Sequence, residues 1–144
     1  MSRATGPLVK ALQEALGAEH AAVYAYGTIG GRLDAQSAPQ RRATKDYRTH
    51  LARRDRLTAQ IAAAGAEPVA ADPVYAMPGP VRSATQAAAV ARQIEDRCAV
   101  FYARIIASAS GTERTYALGA LTECATRSLR WGADSSALPG VERP

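Results

Sequence analysis

Four prolines, Pro68, Pro73, Pro78 and Pro80, fall in the stretch from Gly65 to Pro80. No helix can run through such a stretch, because each proline lacks an amide proton and its ring clashes with the preceding turn. The chain is cut into two halves, and each half reads as a pair of helices. Helix one is expected from Pro7, suited to a first helical turn, to Gly30-Gly31, which should stop it. Its apolar positions Leu8, Leu12, Leu16, Val23 and Tyr26 are spaced for one helical face. Helix two is expected from Ser37-Ala38-Pro39, a cap followed by proline, to Gly65, with Ala43, Tyr47, His50, Leu51, Leu57 and Ile61 inward. Helix three opens at Ser83 and carries Ala91, Ile94, Cys98, Phe101, Tyr102 and Ile105. Ser110-Gly111-Thr112 breaks it, Glu113 favours a new N-terminus, and helix four runs to Trp131-Gly132.

The connection lengths predict the topology. Short turns join helices one to two and three to four, so each pair should be an antiparallel hairpin. A helix of about 24 residues is roughly 36 Å long, and an extended connection of about 15 residues reaches roughly 50 Å. The proline-rich segment can therefore run the length of the molecule. The expected fold is all-α: an antiparallel four-helix bundle with one long crossover between helices 2 and 3, as in ferritin-like folds. An up-down-up-down bundle with a loose loop is the alternative. Residues 1–144 are expected to form a single domain, with its core at about 8–132 and an irregular tail at about 133–144.

Composition narrows the class. At 144 residues the chain suffices for one real core, and its 47% hydrophobic and 22% charged residues exclude a disordered chain. No apolar run approaches the roughly 18 residues of a membrane span, and the first residues do not read as a signal peptide, so a cytoplasmic location is expected. Cys98 and Cys124 lack metal or redox spacing and read as buried thiols, although Cys98 lies one turn after Glu95. The net charge of +5 is carried almost wholly by arginine, an alanine-and-arginine bias that GC-rich coding produces. The basic run Arg41, Arg42, Lys45, Arg48, Arg53, Arg54 and Arg56 reads first as a solvated face. Weak nucleic-acid binding through it is an alternative, against which stands the lack of interleaved aromatics.

Polar residues also fall on inward faces. At about 100° per residue, Glu19 lies within the apolar stripe of helix one, and a carboxylate there requires a metal, a cation or several donors. His50 shares a sector with Leu57 and Ile61, flanked by Tyr47 and Arg54, and Glu95 lies towards the edge of helix three's stripe. Glu19 and His50 are equidistant from the first turn, and Glu95 and Glu123 from the second. Four candidate ligands, Glu19, His50, Glu95 and Glu123, thus fall near one level, although Leu118, Leu121, Ala125 and Leu129 form the evident apolar side of helix four and Glu123 points nearly opposite. Oxygen and imidazole donors suit iron, manganese or zinc. The competing reading is a metal-free network in which Arg54 neutralises Glu19 or Glu95 while Tyr47 and His50 complete the hydrogen bonds.

The run Ala18-Glu19-His20-Ala21-Ala22-Val23-Tyr24-Ala25-Tyr26-Gly27, with Arg53-Arg54-Asp55 and Tyr75-Ala76-Met77-Pro78, resembles an actinobacterial family of unknown function described as ferritin-like. The resemblance covers about residues 8–132 and implies a ferritin-type bundle without an assigned activity. Against the ligand pattern of bacterioferritin-like proteins, Glu19, His50, Glu95 and Glu123 occupy ligand positions. Tyr47 stands where a bridging glutamate belongs, and Thr126 where a histidine does. Sequence therefore points to an incomplete carboxylate and histidine centre, in a metal-free binding or assembly module expected to be a homodimer. The alternative is an iron- or manganese-binding protein acting as an oxidase or oxygenase. No nucleophile arrangement or phosphate loop stands out, and no reaction is assigned. Outward-facing Tyr24, Val100 and Trp131 are the expected partner surface.

Overall fold

The computed structural model describes residues 6–141; the first five residues, and residues 142–144 of the expected tail, lie outside the described part. Four helices, α1 (Gly6–Arg32), α2 (Ala38–Ala63), α3 (Ala84–Ser108) and α4 (Gly111–Arg130), make up the architecture, with no strand among the described residues. Ser37 Oγ accepts from the amide of Gln40 and Ser83 Oγ from that of Gln86, each at 3.2 Å, so the serines expected to start α2 and α3 cap them. Gly65, at φ +83°, follows the end of α2, and Gly132, at φ +94°, follows Trp131 beyond α4.

One boundary moves. Gly30-Gly31 do not stop α1, which continues to Arg32 and turns only where Gln36 takes φ +60°. Two helical glycines cost about 1 kcal/mol each, and the fully buried Ile29 anchors the turn that contains them.

α1 packs against α2 and α3, and α3 against α4. Their shared core includes Leu12, Leu16, Ile29, Leu57, Ile61 and Val90, with alanines of α1 between them. Each fully buried Leu or Ile contributes about 1.5–3 kcal/mol. The proline-rich connection lies along α1. The side chain of Gln13 bonds the carbonyl of Glu67 and the amide of Val69, His20 bonds the carbonyl of Val69, and Tyr75 packs on Tyr24.

The buried side of α4 corrects the sequence reading. Leu118 and Leu129 are 56% and 46% exposed, whereas Ala117, Ala120, Leu121, Cys124, Arg127 and Ser128 are buried. Small residues, Leu121 and an arginine face the other helices, whereas Leu118 and Leu129 do not. Trp131, expected outside, is 3% exposed: its indole N–H donates to Asp46 at 2.8 Å, and its ring packs near Tyr26. Tyr24 and Val100 are partly buried.

Candidate functional site

A polar cluster to which all four helices contribute lies inside this core. Glu19 comes from α1, His50 from α2, Glu95 from α3 and Arg127 from α4; the first three are fully buried and Arg127 is 5% exposed. His50 bridges the two acids, Nδ1 at 2.5 Å from Glu19 Oε2 and Nε2 at 2.9 Å from Glu95 Oε1. With both acids ionised their oxygens only accept, so both ring nitrogens then carry hydrogen and the ring is an imidazolium. Burial pulls the His50 pKa down, but the charges and hydrogen bonds of Glu19 and Glu95 outweigh it and hold the ring at about 9.

Glu95 Oε1 is the hub of the cluster. It accepts from Tyr26 Oη at 2.7 Å, His50 Nε2 at 2.9 Å and Arg127 Nε at 3.0 Å. Burial pushes this carboxyl up, but His50 and then Arg127 bring it down to about 2. The other oxygen, Oε2, is buried without a partner. Tyr102 Oη donates to Glu19 Oε1 at 2.6 Å, and the Tyr26 ring stacks on His50 with centroids 5.3 Å apart. Burial and the adjacent carboxylates raise both phenols, which remain donors. Two carboxylates thus face two cations, and two tyrosines close the network. Arg127 also reaches Cys124 Sγ, and Cys98 Sγ lies with Glu19 and His50 donor atoms in a group spanning no more than 4.8 Å.

Of the residues expected at the site, Glu19, His50 and Glu95 come together. Glu123 does not join them: its side chain is 60% exposed and pairs with Arg53 and Arg127. The α4 residue that faces Glu95 is Arg127, one turn further on. Arg54 is not the neutralising arginine; it pairs with its neighbour Asp55 at the surface, while Arg53, turned towards α4, is the buried one. Tyr47 is half-buried with its ring beside Gly27, and Tyr26 occupies the place beside the imidazole expected for it. Thr126 is exposed and bonds the carbonyl of Thr122.

Sequence reasoning took Tyr26 and Tyr102 as apolar core and missed Arg127, Arg53 and Asp46. The signal for Arg127 was present: Ala117, Ala120, Cys124, Arg127 and Trp131 recur at three- and four-residue spacing, but small side chains make a weaker stripe than leucines do.

The fold and site define an all-helical protein with a buried carboxylate–imidazolium–guanidinium cluster at its centre. Residues 11–143 match the family described as a domain of unknown function, DUF4439, and the chain belongs to that family. It is similar to the crystal structure of a conserved hypothetical protein, Rv2844, from Mycobacterium tuberculosis, with 29% identity and a TM-score of 0.81 over 88% of this chain and 96% of that one. No curated protein matches the chain. No helix among the described residues is long and apolar enough to cross a membrane.

Proposed function

We propose that this protein is a single-domain, ferritin-like antiparallel four-helix bundle that works without a bound metal, as a binding or assembly module forming a homodimer. The topology is supported by the paired positions. Glu19 meets Tyr102 while Tyr26 meets Glu95, so α1 and α3 run opposite ways. Gln60 meets Glu113 while Asp46 meets Trp131, so α2 and α4 do as well. With α1–α2 and α3–α4 as hairpins, α2 and α3 are parallel, and the connection along α1 is the long crossover of ferritin-like bundles.

The observation that carries the metal-free reading is the Arg127 guanidinium on Glu95, beside an imidazole whose two nitrogens both face carboxylates. The cations that a dinuclear centre would need are supplied by the protein itself. A metal would require His50 to give up a proton and at least one carboxylate contact. The assembly reading rests on Leu118 and Leu129, which lie three turns apart on one exposed face of α4.

One observation favours a second reading. Glu19, His50 and Cys98 bring oxygen, nitrogen and sulfur donors within 4.8 Å, and such a set suits zinc or iron. The two readings separate by elemental analysis of protein purified without a metal-affinity step and then incubated with iron(II), manganese(II) or zinc(II). The expected result is well below one equivalent. One equivalent in the wild type, lost in Glu19→Ala, would overturn the metal-free reading. For assembly, light scattering should give a dimer that Leu118→Glu/Leu129→Glu converts to monomer. A monomer at every concentration would refute that part.

A further inference from the structure

We propose that the groove between α2 and α4 binds an extended phosphate chain. Arg41, Lys45, Arg48 and Arg56 stand along one side of α2. At 1.5 Å per residue their positions span about 22 Å of helix axis, much longer than a single phosphate. They line a groove of about 960 Å³ with Arg53 among its lining residues and Tyr116 of α4 opposite. Against these five cations the groove holds one acid, Glu123.

Arg53 separates this groove from an ordinary solvated basic face. Its residue exposure is only 6%, yet Nε and Nη1 have no acceptor, and only Nη2 is engaged, by Glu123. A buried guanidinium with idle N–H groups is costly unless an acceptor arrives. These N–H groups lie beneath the groove floor, where the Arg53 guanidinium is 5.4 Å from the centroid of the buried Tyr102 ring. With Arg53 turned outward, an anionic oxygen seated between Arg48 and Arg56 supplies the acceptor, and planar guanidinium groups are well matched to phosphate oxygens.

Tyr116 narrows the ligand class. The Arg56 guanidinium lies 3.8 Å from its ring centroid and that of Arg53 5.9 Å. The ring is thus occupied in holding arginines in place, whereas single-stranded nucleic-acid sites offer aromatic faces on which bases stack. A phosphate chain without bases fits this lining better than an oligonucleotide.

Calorimetric titration at physiological salt with long-chain inorganic polyphosphate, tripolyphosphate and poly(U) at matched phosphate concentration tests the proposal. Saturable binding is expected for polyphosphate and, more weakly, for tripolyphosphate. Arg48→Glu/Arg56→Glu should weaken it by roughly tenfold or more, and Arg97→Glu/Arg104→Glu on α3 should leave it unchanged. Glu123→Gln, which removes the competing carboxylate, should tighten it several-fold. Absence of saturable binding at millimolar ligand would overturn the proposal. So would equal weakening by both charge-reversed pairs, which indicates bulk charge alone. Tighter binding of poly(U) than of polyphosphate would overturn it in favour of nucleic acid.

Discussion

Arg127 donates its Nε–H to Oε1 of Glu95 at 3.0 Å, the oxygen on which His50 and Tyr26 also converge. Four helices meet through that atom, and the arginine supplies the positive charge that the imidazolium alone cannot provide for two carboxylates.

Arg127→Met should therefore be severely destabilising, by about 3–5 kcal/mol, because it leaves a buried carboxylate short of a cation. The charge-matched double variant Arg127→Met/Glu95→Gln should recover much of the loss. Urea unfolding of the two single variants and the double variant measures the coupling; simple additivity would show that the pair is not a unit.

The cluster also predicts how stability varies with pH. The folded His50 pKa of about 9 lies above its ordinary 6.5, so its contribution is complete below pH 6.5 and is lost as pH rises through 9. The folded Glu95 pKa of about 2 lies below its ordinary 4.5, so its contribution is complete above pH 4.5 and is lost as pH falls through 2. Asp46, raised by burial, opposes part of the acid arm. Urea midpoints should be highest between about pH 4.5 and 6.5 and fall towards pH 9. His50→Gln should flatten the alkaline fall, and a slope unchanged in that variant would assign it to other groups.

Trp131, the chain's single tryptophan, is buried with its N–H on Asp46. Asp46→Ala leaves that donor without an acceptor and should cost about 1–3 kcal/mol. Asp46→Asn keeps an acceptor and removes a carboxyl that burial disfavours, so it should match or exceed the wild type at neutral pH. Tryptophan fluorescence during unfolding reads both variants.

Cys98 and Cys124 are buried free thiols whose pKa values burial drives well upward. Neither should react with a disulfide reagent in the native protein at neutral pH, and both should react as fast as the chain unfolds. Rapid native labelling of Cys98 would mean that the cluster opens to solvent without global unfolding.

Much of the architecture was legible in the sequence because its signals are local: proline density, serine caps and leucine spacing act within a few residues. The inward placement of Glu19 and His50 was legible for the same reason, since each sits among strongly apolar neighbours. Helix four was not. Its leucines make the most visible stripe, yet Leu118 and Leu129 are exposed, and its buried side is built from alanine, cysteine, serine and arginine around the single buried Leu121. Hydropathy ranks such a face as polar, and only the partner carboxylate on α3 explains why Arg127 belongs there. Choosing between Arg53 and Arg54 had the same difficulty. The angle along α2 does not separate them, and the position of Glu123 on another helix does.

Charge matching within each sequence-local pair of helices bears on the order of assembly. Glu19 and His50 neutralise one another between α1 and α2, and Glu95 and Arg127 do so between α3 and α4. Either half of the chain can therefore form without stranding a lone ion in its apolar face. The bonds that join the halves, from His50 and Tyr26 to Glu95 and from Tyr102 to Glu19, close between partners whose charge is already balanced. Docking of the halves then acts as a registry step: sliding α3 by one turn along α1 would part both tyrosines from their carboxylates together, so the buried network selects a single alignment of two otherwise greasy, alanine-lined surfaces.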